Sequence, residues 1–265
     1  MPGVAVLQAD GATGAVEENL RRVDEYAARV AERGAEILVT PELFATGYAP
    51  ALVADSDGPG LRSALGDIAR RHGIALVGST VDASPEGRHI SASLFDRQGA
   101  ELTRYRKAHL FGAEEQSVFV PGHDLPELVP LLGLTVALGI CYDIEFPEFA
   151  RSAAQRGADV LLIPTAVPAT GDVGGRAPEH TYNAESISTL LVPARALENG
   201  VYVAYANHTG PDFTGLSCIA SPYGTFLGMA GHDEELLFAD VDPTEVQRAR
   251  EINTYLTCRR PSLFI

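Results

Sequence analysis

The stretch at residues 134–148, L-T-V-A-L-G-I-C-Y-D-I-E-F-P-E, decides how the rest of the chain is read. It opens as an apolar run broken by Gly139 and ending at Cys141, the pattern of a buried strand. After a short turn come Phe146-Pro147-Glu148, and then Phe149, Ala150, Ala153 and Ala154 at helical spacing. Proline suits the first turn of a helix, where its missing N–H is no loss, and Gly157 supplies the stop. Cys141 therefore lies between a strand end and a helix start. Unpaired backbone N–H groups and the helix dipole favour an anion there. Such a place can lower a thiol pKa and hold an oxyanion. The competing reading is a buried core cysteine, the usual fate of a free Cys.

Working outward, residues 4–8 read as a strand. Residues 17–33 read as a helix with Leu20, Val23, Ala27 and Val30 on one face, closed by Gly34. Residues 36–40, E-I-L-V-T, form a strand that runs straight into Pro41-Glu42. A helix (60–72), a strand (74–79), a hairpin loop (82–88) and two adjacent antiparallel strands (90–96 and 101–106) lead to Lys107. Residues 107–122 read as loop. Beyond the central stretch come a strand (159–164), a Gly/Pro/Thr-rich loop (167–183), a helix (184–198) and strands at 202–207, 216–220, 226–229 and 236–241. A short helix (243–250) and an extended C-terminal arm, about 254–265, complete the chain. No linker or shift of composition divides it, so residues 1–265 are expected to form one α/β domain. Two mixed sheets packed together, with helices on both outer faces, fit this order.

The chain has 265 residues, 46% hydrophobic and 21% charged, enough for a sizeable core. A net charge of -15 argues against nucleic acid and anionic membrane as partners. Three widely spaced cysteines, Cys141, Cys218 and Cys258, make no disulfide framework or zinc pattern. Neither a signal peptide nor an apolar run of membrane length is present, so a cytoplasmic location is expected.

Three polar residues follow strand ends, where sites gather in α/β sheets: Glu42, Lys107 and Cys141. Singly, each has an ordinary structural explanation: a helix-cap carboxylate, a member of a solvated basic cluster, a core thiol. Together they form a carboxylate base, a cationic oxyanion partner and a nucleophile. A Cys/His pair is the rival. His109 is the best placed of the seven histidines, and a structural hydrogen bond is the simpler role for it. No G-x-S-x-G or phosphate-binding glycine loop occurs.

P-E-L-F-A-T-G-Y (41–48), Y-R-K-A-H-L-F-G (105–112), E-Q-S-V-F-V-P-G (115–122) and G-I-C-Y-D-I-E-F-P-E (139–148) resemble the signature blocks of the nitrilase, or carbon–nitrogen hydrolase, superfamily. P-T-A (164–166), A-R-A-L-E-N (194–199), Y-V-A-Y-A-N (202–207) and S-P-Y-G (221–224) extend the likeness over essentially the whole chain. The resemblance implies a four-layer α-β-β-α sandwich, usually paired into homodimers or larger homo-oligomers. It implies a catalytic Glu42, Lys107 and Cys141, with a second glutamate falling on Glu115 rather than Glu114. It places Tyr48, Tyr142, Glu145, Thr165 and Ala166 at the substrate, and it implies no metal or organic cofactor.

Within the superfamily the chain is most similar to aliphatic amidases of the 5-aminopentanamidase type. The expected substrate is thus a short linear carboxamide with an ω-amino or ω-guanidino acyl chain, split through a cysteine thioester. Asp143 and Glu148 are expected to cap backbone groups, leaving Glu145 for the substrate. Extra residues at 171–178 depart from the family pattern beside the substrate region. A nitrilase acting on C≡N, an acyltransferase and a catalytically silent binding protein are the alternatives on the same fold.

Overall fold

Parallel strands need helical crossovers, and the chain supplies them in two successive sets. The computed structural model describes residues 1–169 and 183–263. The first set runs β1 (Gly3–Gln8), α1 (Val16–Glu32), β2 (Ile37–Val39), α2 (Pro50–Val53), α3 (Gly58–His72), β3 (Ala75–Ser84), β4 (Gly87–Phe95) and β5 (Glu101–Arg106). The second runs α4 (Gly112–Val118), β6 (Leu128–Leu131), β7 (Leu134–Leu138), α5 (Pro147–Arg156), β8 (Val160–Pro164), α6 (Val192–Asn199), β9 (Tyr202–Ala206), β10 (Cys218–Ala220) and β11 (Phe226–Met229). β12 (Glu235–Asp240), α7 (Pro243–Ile252) and α8 (Tyr255–Cys258) follow.

The strands form two six-stranded sheets, ordered β12-β1-β2-β3-β4-β5 and β11-β10-β9-β8-β7-β6. Each has a parallel trio at its centre, β1-β2-β3 in one and β7-β8-β9 in the other, with antiparallel strands outside. The sheets pack face to face through Val6, Val39, Val77, Ile90, Val136, Val160 and Leu162. On the outer face of the first sheet, α1 and α3 bury Val23, Val30, Leu65 and Ile68 against Leu7 and Leu76, worth roughly 1.5–3 kcal/mol per side chain. α5 and α6 cover the second. This is the expected four-layer α-β-β-α sandwich.

The helix signals around Cys141 hold in detail. Pro147 sits in the first turn of α5, its buried face is Phe149, Ala150, Ala153 and Ala154, and Gly157 ends it at φ 107°. Gly139 has a packing reason. A Cβ there would come 2.6 Å from the Phe149 ring and 2.8 Å from Ile163 Cδ1, so only glycine lets α5 close against the strand end.

Four local features differ from the sequence reading or add to it. Residues 107–122 contain the helix α4, whose one buried residue is Glu115, so it has no apolar stripe to announce it. β6 includes Pro130, which an edge strand tolerates because it needs no ladder N–H there. The helix read over 184–198 is a π-helical turn, Ile187–Leu191, followed by α6. Pro193 lacks the N–H that an unbroken α-helix would use, and the preceding turn widens. The C-terminal segment is not extended chain: it forms α8 and a 3-10 turn, Pro261–Leu263.

Candidate active site

Glu42 lies just beyond β2, Lys107 directly after β5, and Cys141 beyond β7, opening a 3-10 turn, Cys141–Glu145. Two of these exits are strained. Leu43, next to Glu42, has φ 51° and Cys141 itself has φ 46°. Left-handed backbone costs a non-glycine residue about 1–2 kcal/mol, and such strain collects at functional sites. The lysine exit is held conventionally, with Lys107 N–H donating to the Ile90 carbonyl at 2.8 Å.

The three exits converge on a buried cluster. Lys107 Nζ donates to Glu42 Oε1 at 2.8 Å and to Glu115 Oε1 at 2.6 Å. An ammonium has three N–H groups, so one remains for a further acceptor. Glu115 is held on three sides: Tyr48 donates its hydroxyl to Oε1 at 2.6 Å, and Phe111 N–H donates to Oε2 at 2.8 Å. Glu114 lies outside the cluster, with its Oε1 accepting from Ala51 N–H at 3.3 Å. Glu42 Oε2 is different. It is fully buried and has no hydrogen-bond partner among the described residues. Cys141 Sγ lies 3.7 Å from the Ala166 carbonyl, to which it donates.

Burial sets the proton affinities. It pushes the Glu42 carboxyl up to about 8; Lys107 opposes the rise and Glu115 adds to it. Burial likewise pushes the Cys141 thiol well above its ordinary range, with Glu42 adding and Lys107 opposing. This reverses the lowered thiol pKa expected from the helix start: at a fully desolvated sulfur, lost hydration outweighs the dipole. For Lys107 burial works downward, but the two carboxylates override it and keep the ammonium charged. The resting site thus holds a neutral thiol beside a carboxyl of raised basicity.

A second carboxylate braces the site. Asp143 Oδ1 accepts from His109 N–H at 3.0 Å and pairs with His109 Nδ1 at 2.8 Å, while Oδ2 accepts from Ile140 N–H at 3.1 Å. It ties the lysine loop to the nucleophile turn, the structural part expected of both residues. His109 stacks on Phe146 at 3.9 Å, and the Tyr142 ring stands edge-on between Phe111 and Phe146.

A carbon–nitrogen hydrolase family profile matches residues 3–251. The chain belongs to that family. A "Hydrolase in pqqF 5'region" from Pseudomonas protegens is 37% identical over 260 residues, covering 94% of this chain and 86% of that protein. A 2-oxoglutaramate amidase from Bacillus subtilis is 32% identical over 256 residues, covering 94% and 93%. Among solved structures, the amidase of Nesterenkonia sp. AN1, from the nitrilase superfamily, is 38% identical. A Cys-to-Ala variant in complex with butyramide superposes at a TM-score of 0.86 over 99% of this chain and 95% of that one. A Glu-to-Gln variant carrying acrylamide on its active-site cysteine superposes at 0.87 over 99% and 98%.

In this carbon–nitrogen hydrolase the residues expected at the substrate divide. Tyr48 reaches the cluster through Glu115. Tyr142 is half-buried beside the nucleophile. Thr165 is fully buried and spends its hydroxyl on the Ile163 carbonyl, while its own carbonyl accepts from Glu42 N–H at 3.2 Å. Its backbone thus braces Glu42, and its hydroxyl is already engaged. Ala166 presents its carbonyl to the thiol. Glu145 ends the nucleophile turn, half-buried, with its carbonyl accepting from Arg195 Nη2 at 2.7 Å. The extra residues 171–178 lie outside the described residues. No group of three His, Cys, Asp or Glu among the described residues is arranged to hold a metal ion.

Sequence reading missed His208. It follows β9 and is fully buried, with Nε2 at 2.6 Å from the Glu42 carbonyl. Its one sequence signal is a place shortly past a parallel strand's end, as for Cys141.

Proposed function

We propose that this hydrolase converts a short linear aliphatic carboxamide to carboxylate and ammonia through a thioester on Cys141. The observation that carries the reading is the unpartnered, buried Glu42 Oε2 in a cluster whose lysine keeps one N–H in reserve. A buried polar atom without a partner costs about 1–3 kcal/mol, which a purely structural cluster would avoid.

Glu42 takes the thiol proton as sulfur attacks the amide carbon. The carbonyl oxygen becomes an oxyanion, held by the third Lys107 N–H and by backbone N–H in the Cys141–Glu145 turn. Glu42 returns the proton to the leaving nitrogen, the C–N bond breaks, and ammonia departs. Water then attacks the thioester, Glu42 accepts its proton, and the proton goes back to sulfur as the acid leaves. Glu115 keeps Lys107 charged and aimed. A carboxyl whose pKa lies near the working pH suits both halves of this cycle.

Butyramide, bound by the Nesterenkonia amidase variant, sets the acyl size we favour. A cationic far end on the acyl chain, met at Glu145, is the sharper form of the proposal. We also take the chain to work as a homodimer or larger homo-oligomer through the α5 and α6 side, where neighbouring Leu190 and Tyr255 stay exposed. The reduced thiol suits the cytoplasm. The test is ammonia release from butyramide against butyronitrile. Release from the amide is expected; release from the nitrile alone would make the protein a nitrilase, and release from neither would leave a silent binding protein.

A further inference from the structure

We infer that His208 is a positioning residue for the base: its Nε2–H fixes the Glu42 carbonyl, and with it the approach of the carboxyl to the thiol. The inference rests on Glu42 being the base.

The geometry is closed on both ring nitrogens. A carbonyl only accepts, so His208 Nε2, 2.6 Å from the Glu42 oxygen, must carry hydrogen. Gly11 N–H donates to Nδ1 at 3.4 Å, so that nitrogen presents its lone pair. The two partners together select the tautomer with hydrogen on Nε2. Asp10 Oδ1 lies 3.6 Å from Nδ1, at the half-exposed rim. The ring cannot turn away, because Phe44, Tyr48 and Phe213 stand around it at centroid distances of 6.0, 6.3 and 4.8 Å.

Base and nucleophile grow from different sheets, and their relative placement is not set by either sheet alone. Glu42 follows β2 of the first sheet and Cys141 follows β7 of the second. Both backbone polar groups of Glu42 nevertheless bond to the second sheet's strand ends. Its N–H donates to the Thr165 carbonyl beyond β8, and its C=O accepts from His208 beyond β9. Only the side chain bonds to the first sheet's own Lys107. The His208 bond also secures the carbonyl immediately before Leu43, the residue held at φ 51°. A displacement of about 1 Å in a reacting group costs on the order of 10²-fold in rate, and this clamp is what prevents it.

The test uses glutamine, whose amide N–H reaches the place of Nε2, and asparagine, whose amide stops at the place of Nδ1. With butyramide as substrate, His208→Asn is expected to lose on the order of 10²-fold in kcat with KM little changed. His208→Gln should recover most of that loss. Alkylation of Cys141 by iodoacetamide should slow in His208→Asn and recover in His208→Gln. Equal turnover in the two amide variants, or wild-type turnover and pH profile in a folded His208→Phe, would overturn the inference. Glu42→Gln run alongside separates the failures. If it stays active, the base assignment is wrong; if it is inactive while the His208 variants match, only the clamp is wrong.

Discussion

Two buried ionic clusters lie in the first sheet and its loops, and they are built to opposite rules. In one, Asp82 on β3 is a single carboxylate faced by three guanidiniums. Arg104 Nη1 donates to it at 3.0 Å, Arg106 Nε at 2.7 Å, and Arg62 Nη2 lies 3.5 Å away. Both Asp82 oxygens are engaged. In the other, Lys107 is a single cation faced by two carboxylates, and one oxygen, Glu42 Oε2, is left over. The first cluster satisfies its buried charge completely and reaches water through Arg104 and Arg106, each about a third exposed. The second is dry and incomplete. Completeness marks a cluster that holds a fold together; a reserved, desolvated acceptor marks one that waits for a proton.

The sharpest break in that contrast is catalytic. Glu42→Gln and Lys107→Met are each expected to lower kcat on butyramide by about 10³-fold or more while circular dichroism stays unchanged. Iodoacetamide should inactivate in step with labelling of Cys141, which is buried like Cys218, and not with labelling of exposed Cys258. Near-normal turnover in either variant would place the chemistry elsewhere. Asp82→Asn should do the reverse. It leaves three guanidiniums around a neutral amide and is expected to cost about 3 kcal/mol of stability, the low end for a broken buried pair because two partners reach water. Turnover per folded molecule should not change. A denaturant midpoint unmoved by Asp82→Asn would remove its structural role.

The Lys107 cluster also responds to pH. Glu42 has a folded pKa raised from an ordinary 4.5 to about 8. Its contribution to stability is therefore fully present below about 4.5 and lost as pH rises through about 8. Activity runs the other way, since the base works ionised, so kcat/KM should climb over the same interval. Glu115 contributes to the raised value, and Glu115→Gln should move the climb to lower pH. A climb that stays in place would mean that Glu115 does not act on Glu42.

Much of this was legible in the residues because strand ends announce themselves. Glu42, Lys107 and Cys141 each follow a run that reads as a strand, and the family resemblance pointed to Glu115, the glutamate that contacts Lys107, rather than Glu114. What escaped has a shared cause: it depends on partners distant in the chain. His208 meets Glu42 across 166 residues and Asp143 meets His109 across 34, and neither residue has a local pattern that names its partner. The thiol pKa was misjudged in sign because a helix start is visible in sequence, whereas complete burial of the sulfur is a property of the packed sandwich. α4 was missed because the residue it buries is an acid, inverting the apolar stripe by which helices are found.

The smallest expected effect concerns the far end of the substrate. Glu145 lies four residues beyond the nucleophile, at the end of the same turn, and is half-buried rather than enclosed. A carboxylate so placed resembles the Asp82 cluster's solvent side more than the dry Glu42 pocket, and its pairing with a substrate ammonium is screened accordingly. Exposed pairs contribute about 0–1 kcal/mol, so Glu145→Gln should reduce kcat/KM for 5-aminopentanamide by no more than about fivefold and leave pentanamide untouched. Wild-type preference for pentanamide would refute a cationic far end outright. Preference for the charged amide that survives Glu145→Gln would keep the substrate class and move its recognition off the nucleophile turn. A loss well beyond fivefold would show instead that substrate binding closes the pocket and drives water from around Glu145, making it as dry as the cluster it borders.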